Sequence, residues 1–213
     1  MATYAVIGAG PGVSYETARR FGKEGFNLVL MSRSEDKLKE LVTQLENEGF
    51  NATYQIADAN DSGTIKKAVT SLGQIDVLHY NASVLVEADL LSVEAEQLEK
   101  EYRIDVLGII EAVQGALPKL KQSSNAAVLL TGGGLALNPS AGLPGLSLGK
   151  SAMRSLGFML HDRLKEEDVF AGMITINGMV ERGTALDPKN AAEALFTLYQ
   201  NQDQVEVKLE SDK

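Results

Sequence analysis

Short apolar runs recur along this chain, separated by longer stretches whose apolar residues fall at helical spacing. No other feature limits the possible folds so strongly. A strand that is apolar at consecutive positions must be covered on both faces. Helices that each follow a strand provide that cover by crossing over, so the pattern calls for a parallel sheet between helical layers. The runs predict strands over 4–8, 28–31, 52–56, 77–80, 127–131 and 172–176. A last strand is expected at 205–209, where valine and leucine alternate with charged residues as at a half-exposed edge. Helices are expected over 13–24, ending before Gly25, and from a cap at Ser34 through 45. Others should run from Asp61 or Ser62 to near Gly73, and over 92–120, 145–167 and 190–199. The 92–120 segment turns from Glu-rich to apolar midway, and its second half reads as buried on several sides. No linker or repeat interrupts the 213 residues, so one domain over 1–213 is expected. Its class is α/β: a doubly wound parallel sheet of about seven strands in a three-layer α/β/α arrangement.

Charge and composition narrow the function classes. The formal net charge of −9 works against a nucleic-acid backbone or an anionic membrane as partner, since both need clustered positive charge. A small anionic ligand remains compatible, because helix N-termini and one arginine can hold it locally. There is no cysteine, which removes disulfides and thiolate ligands, and His79 and His161 lack metal-ligand spacing. No metal site is expected. The first residues enter a strand pattern without a basic, apolar leader, and no apolar run approaches the length of a membrane span. The expectation is a cytoplasmic protein.

Val6-Ile7-Gly8-Ala9-Gly10-Pro11-Gly12-Val13-Ser14 joins the first strand to the first helix. Glycine permits close backbone approach, and a helix N-terminus aims free N–H groups at a pyrophosphate. The spacing departs from Gly-x-Gly-x-x-Gly, whose last glycine would fall at Val13, and fits Gly-x-x-x-Gly-x-Gly with Ser14 in the last place. A tight turn is the plain alternative; its position between strand and helix favours nucleotide binding through Gly8, Gly10, Pro11, Gly12 and Val13.

From this turn onward the chain resembles the short-chain dehydrogenase/reductase family, which implies a Rossmann-type fold and a nicotinamide dinucleotide cofactor. Met31-Ser32-Arg33-Ser34 ends the second strand, where the family selects its cofactor. An arginine there suits the 2′-phosphate of NADP, so Ser32 and Arg33 imply NADP(H) over NAD(H); Arg33 can also be read as a solvated helix-start residue. Asp58-Ala59 is similar to the family's adenine-contacting pair, and Asn81-Ala82-Ser83 to its Asn-Ala-Gly, although Asn81 equally suits a strand-to-helix turn.

The resemblance implies a catalytic asparagine, serine, tyrosine and lysine, the last two in Tyr-x-x-x-Lys. Lys150 matches the lysine, which would hold the nicotinamide ribose, but the tyrosine position is Leu146, which has no proton to transfer. Gly133 stands near the serine position and Asp105 at the asparagine position. Losing a positioned general acid typically lowers the rate by about 10²–10⁴-fold. Ser147, Ser140 and Tyr102 are the nearest substitute donors in sequence, each with an ordinary structural reading beside it. Asp105 and Lys150 are expected to pair, the carboxylate holding the lysine on the ribose; a solvated Asp105 is the alternative. Beyond the sixth strand, Asn177-Gly178 replaces the family's Pro-Gly, with Gly178 at the family glycine, and the loop that follows is short. The triple glycine 132–134 should widen the pocket floor or admit another backbone. His161-Asp162 reads as a helix-surface pair.

Two functions follow. One is an NADP(H)-dependent oxidoreductase acting on a small carbonyl or alcohol with an unorthodox proton donor. The other is a non-catalytic NADP(H)-binding sensor or regulator of the same fold. The resemblance also implies a homodimer or homotetramer through the helices near 92–120 and 145–167.

Overall fold

The computed structural model describes residues 1–211. Seven strands, β1 (Thr3–Ile7), β2 (Asn27–Ser32), β3 (Ala52–Ile56), β4 (Val77–Tyr80), β5 (Ala126–Gly133), β6 (Val169–Asn177) and β7 (Glu206–Glu210), form one parallel sheet in the order β3-β2-β1-β4-β5-β6-β7. Helices α1 (Val13–Lys23), α2 (Glu35–Asn47) and α7 (Pro188–Asn201) bury Phe21, Leu38, Leu45, Leu195 and Phe196 against one face. Helices α3 (Thr64–Ser71), α5 (Gly108–Leu120) and α6 (Pro144–Lys165) bury Ile65, Ile109, Ala112 and Met153 against the other. This is the doubly wound, three-layer class expected from the alternating pattern. The central strands are buried along their whole length, as continuous apolar runs require, and β7 is the half-exposed edge.

One polar chain crosses the buried sheet. The Tyr4 hydroxyl meets His79 Nδ1 at 2.5 Å, and His79 Nε2 meets Thr131 Oγ1 at 2.8 Å, tying β1, β4 and β5 together. Burial pushes the His79 pKa down to about 3, so the neutral ring donates through one nitrogen and accepts through the other. His161 differs from the surface pair expected: its Nδ1 hydrogen-bonds the Ala171 carbonyl at 2.8 Å and its ring stands edge-on to Phe170.

The 92–120 helix proves to be three pieces. It begins at α4 (Ala95–Tyr102), widens into a π-helical segment (Arg103–Leu107), and continues as α5. The Tyr80 hydroxyl donates to the Ile104 carbonyl at 2.5 Å and lies where a side chain on Gly108 would stand. A side chain inserted into the ladder is a recognised cause of such a bulge. Helix α3 starts later than Asp61 or Ser62, because Thr64 folds back on Asp61 through both its N–H and its hydroxyl. Ser34 does stand at the start of α2, but its hydroxyl makes no capping bond.

Strand order reverses between β1 and β4, and there the chain leaves Ile7 through Gly8 at φ +82°. A Cβ on Gly8 would overlap the Ala82 backbone nitrogen. Gly8→Ala should therefore lower stability by at least about 2 kcal/mol, the left-handed backbone alone accounting for roughly 1–2. The midpoint of urea unfolding checks it, with Gly10→Ala, whose Cβ would meet nothing within 4 Å, as the neutral comparison.

Candidate active site at the strand C-termini

The turn after β1 and the turn after β4 are locked together. Asn81 N donates to the Ile7 carbonyl at 2.8 Å, and Asn81 Nδ2 donates to the Gly8 carbonyl at 3.0 Å. Beside this lock opens a cleft of about 300 Å³, walled by Gly8, Ala9, Ser32, Arg33, Ala82 and Ser83, with Ala57, Ala59, Val84 and Ile104 completing it. Such a crevice outside the carboxyl ends of a doubly wound sheet is where ligands bind.

Gly12 precedes α1 without any side-chain cap, and the space that side chains on Gly10 and Gly12 would fill is open. The first-turn N–H groups of α1 are thus available to an anion. Ser14 turns inward instead: its hydroxyl accepts from Gly10 N at 2.9 Å and bonds the Gly10 carbonyl, holding the turn's shape. Val13 packs into the core, so its backbone alone can serve a ligand, and Pro11 is exposed on the outside of the turn. Arg33 is exposed at the cleft rim and makes no ion pair among the described residues. An unpaired guanidinium at the end of β2 suits a ribose 2′-phosphate.

The Asp58 carboxylate accepts from Asn60 N at 2.9 Å, leaving Ala57 and Ala59 as the cleft wall at that strand end. Gly178 lies outside the cleft wall; it closes β6, and Leu186 packs where its side chain would be. Sequence reading missed Ala9, Ala57, Val84 and Ile104, which are apolar wall residues without chemical signature.

At the reacting end, Leu146 is buried at 8% exposure. Lys150, also 8% exposed, runs its methylene stem past Gly133 at 3.6–3.7 Å from where a side chain there would begin. Its ammonium donates to the Thr131 carbonyl at 3.1 Å. The other two glycines of the triplet admit close neighbours, Gly132 the Ile174 carbonyl and Gly134 the Asn177 side chain. Ser147 is tied to the Ser140 backbone through both N–H and carbonyl, which fixes the entry into α6, and Tyr102 is exposed at the end of α4. Neither these two serines nor Tyr102 lines the cleft.

Asp105 and Lys150 form no direct ion pair, contrary to the contact expected; the lysine has gone to Thr131 instead. They still feel one another. Asp105 is 0% exposed, and burial raises its pKa to about 6. The Lys150 charge, the Ser83 hydroxyl and the Val84 N–H pull it down, while Glu101 pushes it up. Burial lowers the Lys150 pKa, and the Asp105 carboxylate opposes that.

Known proteins resemble this chain in sequence and in fold. Residues 2–193 match the family profile described as short chain dehydrogenase. The diacetyl reductase ((S)-acetoin forming) of Staphylococcus epidermidis is 30% identical over 132 residues, covering 60% of this chain and 51% of that protein. An uncharacterized oxidoreductase of Thermotoga maritima is 29% identical over 161 residues, covering 71% and 61%. The chain thus spans little more than half the length of these relatives. Among solved structures, an NADPH-bound short-chain oxidoreductase from Pseudomonas aeruginosa PAO1, described as containing an atypical catalytic center, superposes with a TM-score of 0.88 at 18% identity, covering 98% of this chain and 95% of that one. An alcohol dehydrogenase from the archaeon Thermococcus sibiricus, complexed with 5-hydroxy-NADP, gives 0.83 at 20%, covering 99% and 96%. At these identities the structures establish the shared fold.

The raised Asp105 pKa has a consequence for stability. A folded-state value of about 6 against 3.8 unfolded means that the native protein holds this proton more tightly. The resulting stabilisation is full below pH 3.8 and is lost as pH rises through 6. Asp105→Asn should therefore gain on the wild type across that window, by up to about 3 kcal/mol at pH 8. Parallel melting curves from pH 4 to 8 check it, His79 being common to both proteins.

Proposed function

The chain belongs to the short-chain dehydrogenase family, and on that premise we propose that it is an NADP(H)-dependent oxidoreductase for a small carbonyl or alcohol, with Lys150 in place of the missing tyrosine as the ionisable group at the reacting end. The observation that carries the reading is the cleft at the β1–β4 switch, walled by Gly8 and Ala9 of the turn that leads into the uncapped start of α1, with an unpaired arginine on its rim. Gly8, Gly10 and Gly12 would accommodate the diphosphate, Ser32 and Arg33 the 2′-phosphate, Ala57 and Ala59 the adenine side, and Asn81, Ala82 and Ser83 the nicotinamide half. When bound, the nicotinamide supplies or accepts a hydride; the residues of this chain orient it, limit water and manage the proton. Lys150 suits that last task because burial lowers its pKa, which makes its ammonium a stronger acid. The named relatives support the reading: a diacetyl reductase by sequence, and an NADPH-bound oxidoreductase with an atypical centre by fold.

One observation favours a second reading, a non-catalytic NADP(H)-binding sensor. Leu146 fills the acid position, and Lys150 is engaged with Thr131 rather than facing the cleft. Turnover separates the two. In either case we place the protein in the cytoplasm as a homodimer or homotetramer, joined through α4 and α6, whose outer faces expose Tyr102, Leu148 and Met159. No helix of the described residues is long and apolar enough to cross a membrane.

Calorimetry should show NADPH binding more tightly than NADH. Arg33→Ala should lose about ten- to a hundredfold in NADPH affinity with NADH unchanged, the value of one charge-assisted hydrogen bond. Equal affinities in the wild type overturn the phosphate assignment. With butane-2,3-dione as carbonyl probe, Lys150→Ala should nearly abolish NADPH oxidation; full activity in that variant removes Lys150 from the site.

A further inference from the structure

Three neighbouring loops leave the carboxyl ends of β4, β5 and β6, and their composition is lopsided. They are residues 81–94, 134–143 and 178–187. The middle loop meets both of its flanks. Ala88 N and Leu90 N donate to the Gly142 and Ala141 carbonyls at 3.1 and 3.2 Å, and the Asn177 side chain at the end of β6 lies where a side chain on Gly134 would stand. The outer two loops start from strands two spacings apart, about 10 Å.

Those outer loops expose large apolar side chains. Leu85 is 64% exposed, Leu91 93% and Met179 84%, with Val86 and Val180 next to them in the chain. The loop between carries no charge, and its Leu135, Ala136 and Leu137 are half-buried. Single exposed apolar residues are ordinary, but several on adjoining loops beside a ligand crevice mark a contact surface. The surface continues the cleft: Val84 belongs to the cleft wall, and Leu85 follows it.

Charge narrows what can occupy it. Across the three loops Arg182 is the sole cation, against Glu87, Asp89, Glu94, Glu181 and Asp187. A carboxylate or phosphate on a substrate would meet like charges there and no cluster of positive ones. The same excess works against an anionic lipid surface. Leu85 and Met179 belong to neither hydrophobic cluster, so substituting them leaves the core packing intact.

We propose that the substrate is a neutral carbonyl or alcohol with an aliphatic tail, its reacting carbon at the nicotinamide half of the cleft and its tail across Leu85 and Met179. The inference rests on the oxidoreductase reading and sets the substrate class within it. A wholly buried methylene contributes roughly fourfold in affinity, and one covered on a single side about twofold. Tail length is therefore read out in kcat/KM, and a charge at the tail end undoes the gain.

NADPH oxidation by the full chain should rise in kcat/KM by at least about tenfold from butan-2-one through hexan-2-one to octan-2-one. With 7-oxooctanoate, which carries a carboxylate in place of the last methyl group of octan-2-one, it should return to the butan-2-one level. In Leu85→Ser and Met179→Ser the ratio of octan-2-one to butan-2-one should fall at least about threefold, and the ratio cancels any general loss of activity. Met179→Lys should shift preference towards 7-oxooctanoate by up to about fivefold, the value of one exposed ion pair. Saturation-transfer NMR with NADP⁺ present, and so without turnover, should show the tail methylenes of octan-2-one against the protein, and a weaker signal in Met179→Ser. A flat series, equal rates for octan-2-one and 7-oxooctanoate, or unchanged ratios in both serine variants overturns the substrate class alone, provided butane-2,3-dione is reduced. Loss of phosphatidylcholine-vesicle binding or of the oligomer in Leu85→Ser assigns the loops to a lipid surface or a second copy and overturns it too. A chain that binds NADPH but reduces none of these carbonyls overturns the oxidoreductase reading and the substrate class with it.

Discussion

The approach of the β1 turn to the β4 turn governs the rest of the site. Gly8 lies against the Ala82 backbone, and the Asn81 side chain bonds the Gly8 carbonyl, so two strand ends that diverge beyond this point are held together at it. The helices that follow must then leave to opposite faces of the sheet, α1 to one, and α5 and α6, which come after β4, to the other. A crevice at this place is a consequence of topology before any ligand is considered. What the local sequence adds is backbone: an uncapped helix start and glycines whose outer faces stay open. Asn81 thereby acts as both the turn-forming residue and the cleft residue, two roles that its sequence position could not separate.

The fold was legible because its rules are periodic. Buried parallel strands declare themselves as apolar runs: β4 and β6 extend over or beyond the spans read from sequence, and β1 ends one residue short of the 4–8 expected, because Gly8 already turns away. What escaped were features set by single side chains across the sheet. The π-helical segment depends on Tyr80 donating to Ile104, residues 24 positions apart, and no helical periodicity reports it. Glu101 belongs to a run rich in glutamate that reads as a wet face, yet it is buried because Gly145 makes room for it. The signal available was the pair of glycines four apart at the start of a long helix, where each lowers helix stability by about 1 kcal/mol relative to alanine unless something packs on it. Lys150 stood out in the sequence by its motif, but its contact with Thr131 in preference to Asp105 was not legible, since it depends on where β5 ends.

The polar interior divides into two kinds of site. Around His79 every group finds a partner: Tyr4 on one nitrogen, Thr131 on the other, with the ring neutral. A satisfied network of that sort ties three strands without carrying charge. Along the α4–α6 seam the opposite holds, with two carboxylates each short of a partner and a lysine whose charge burial disfavours. Both sites draw on Thr131, the hydroxyl serving His79 and the carbonyl serving Lys150. The sheet therefore anchors the lysine through a residue whose own side chain is fixed by the neutral network.

Leu146 has no proton to transfer, and Lys150, one turn further along α6, is the buried ionisable group beside it in the chain. A tyrosine in that place would need an adjacent cation to release its proton near neutral pH. Without it, the lysine is the group whose proton affinity matters, and burial moves that affinity towards neutrality while Asp105 limits the shift. The carboxylate in turn is moved upward by burial and held back by the lysine, so each charge limits the shift that burial imposes on the other.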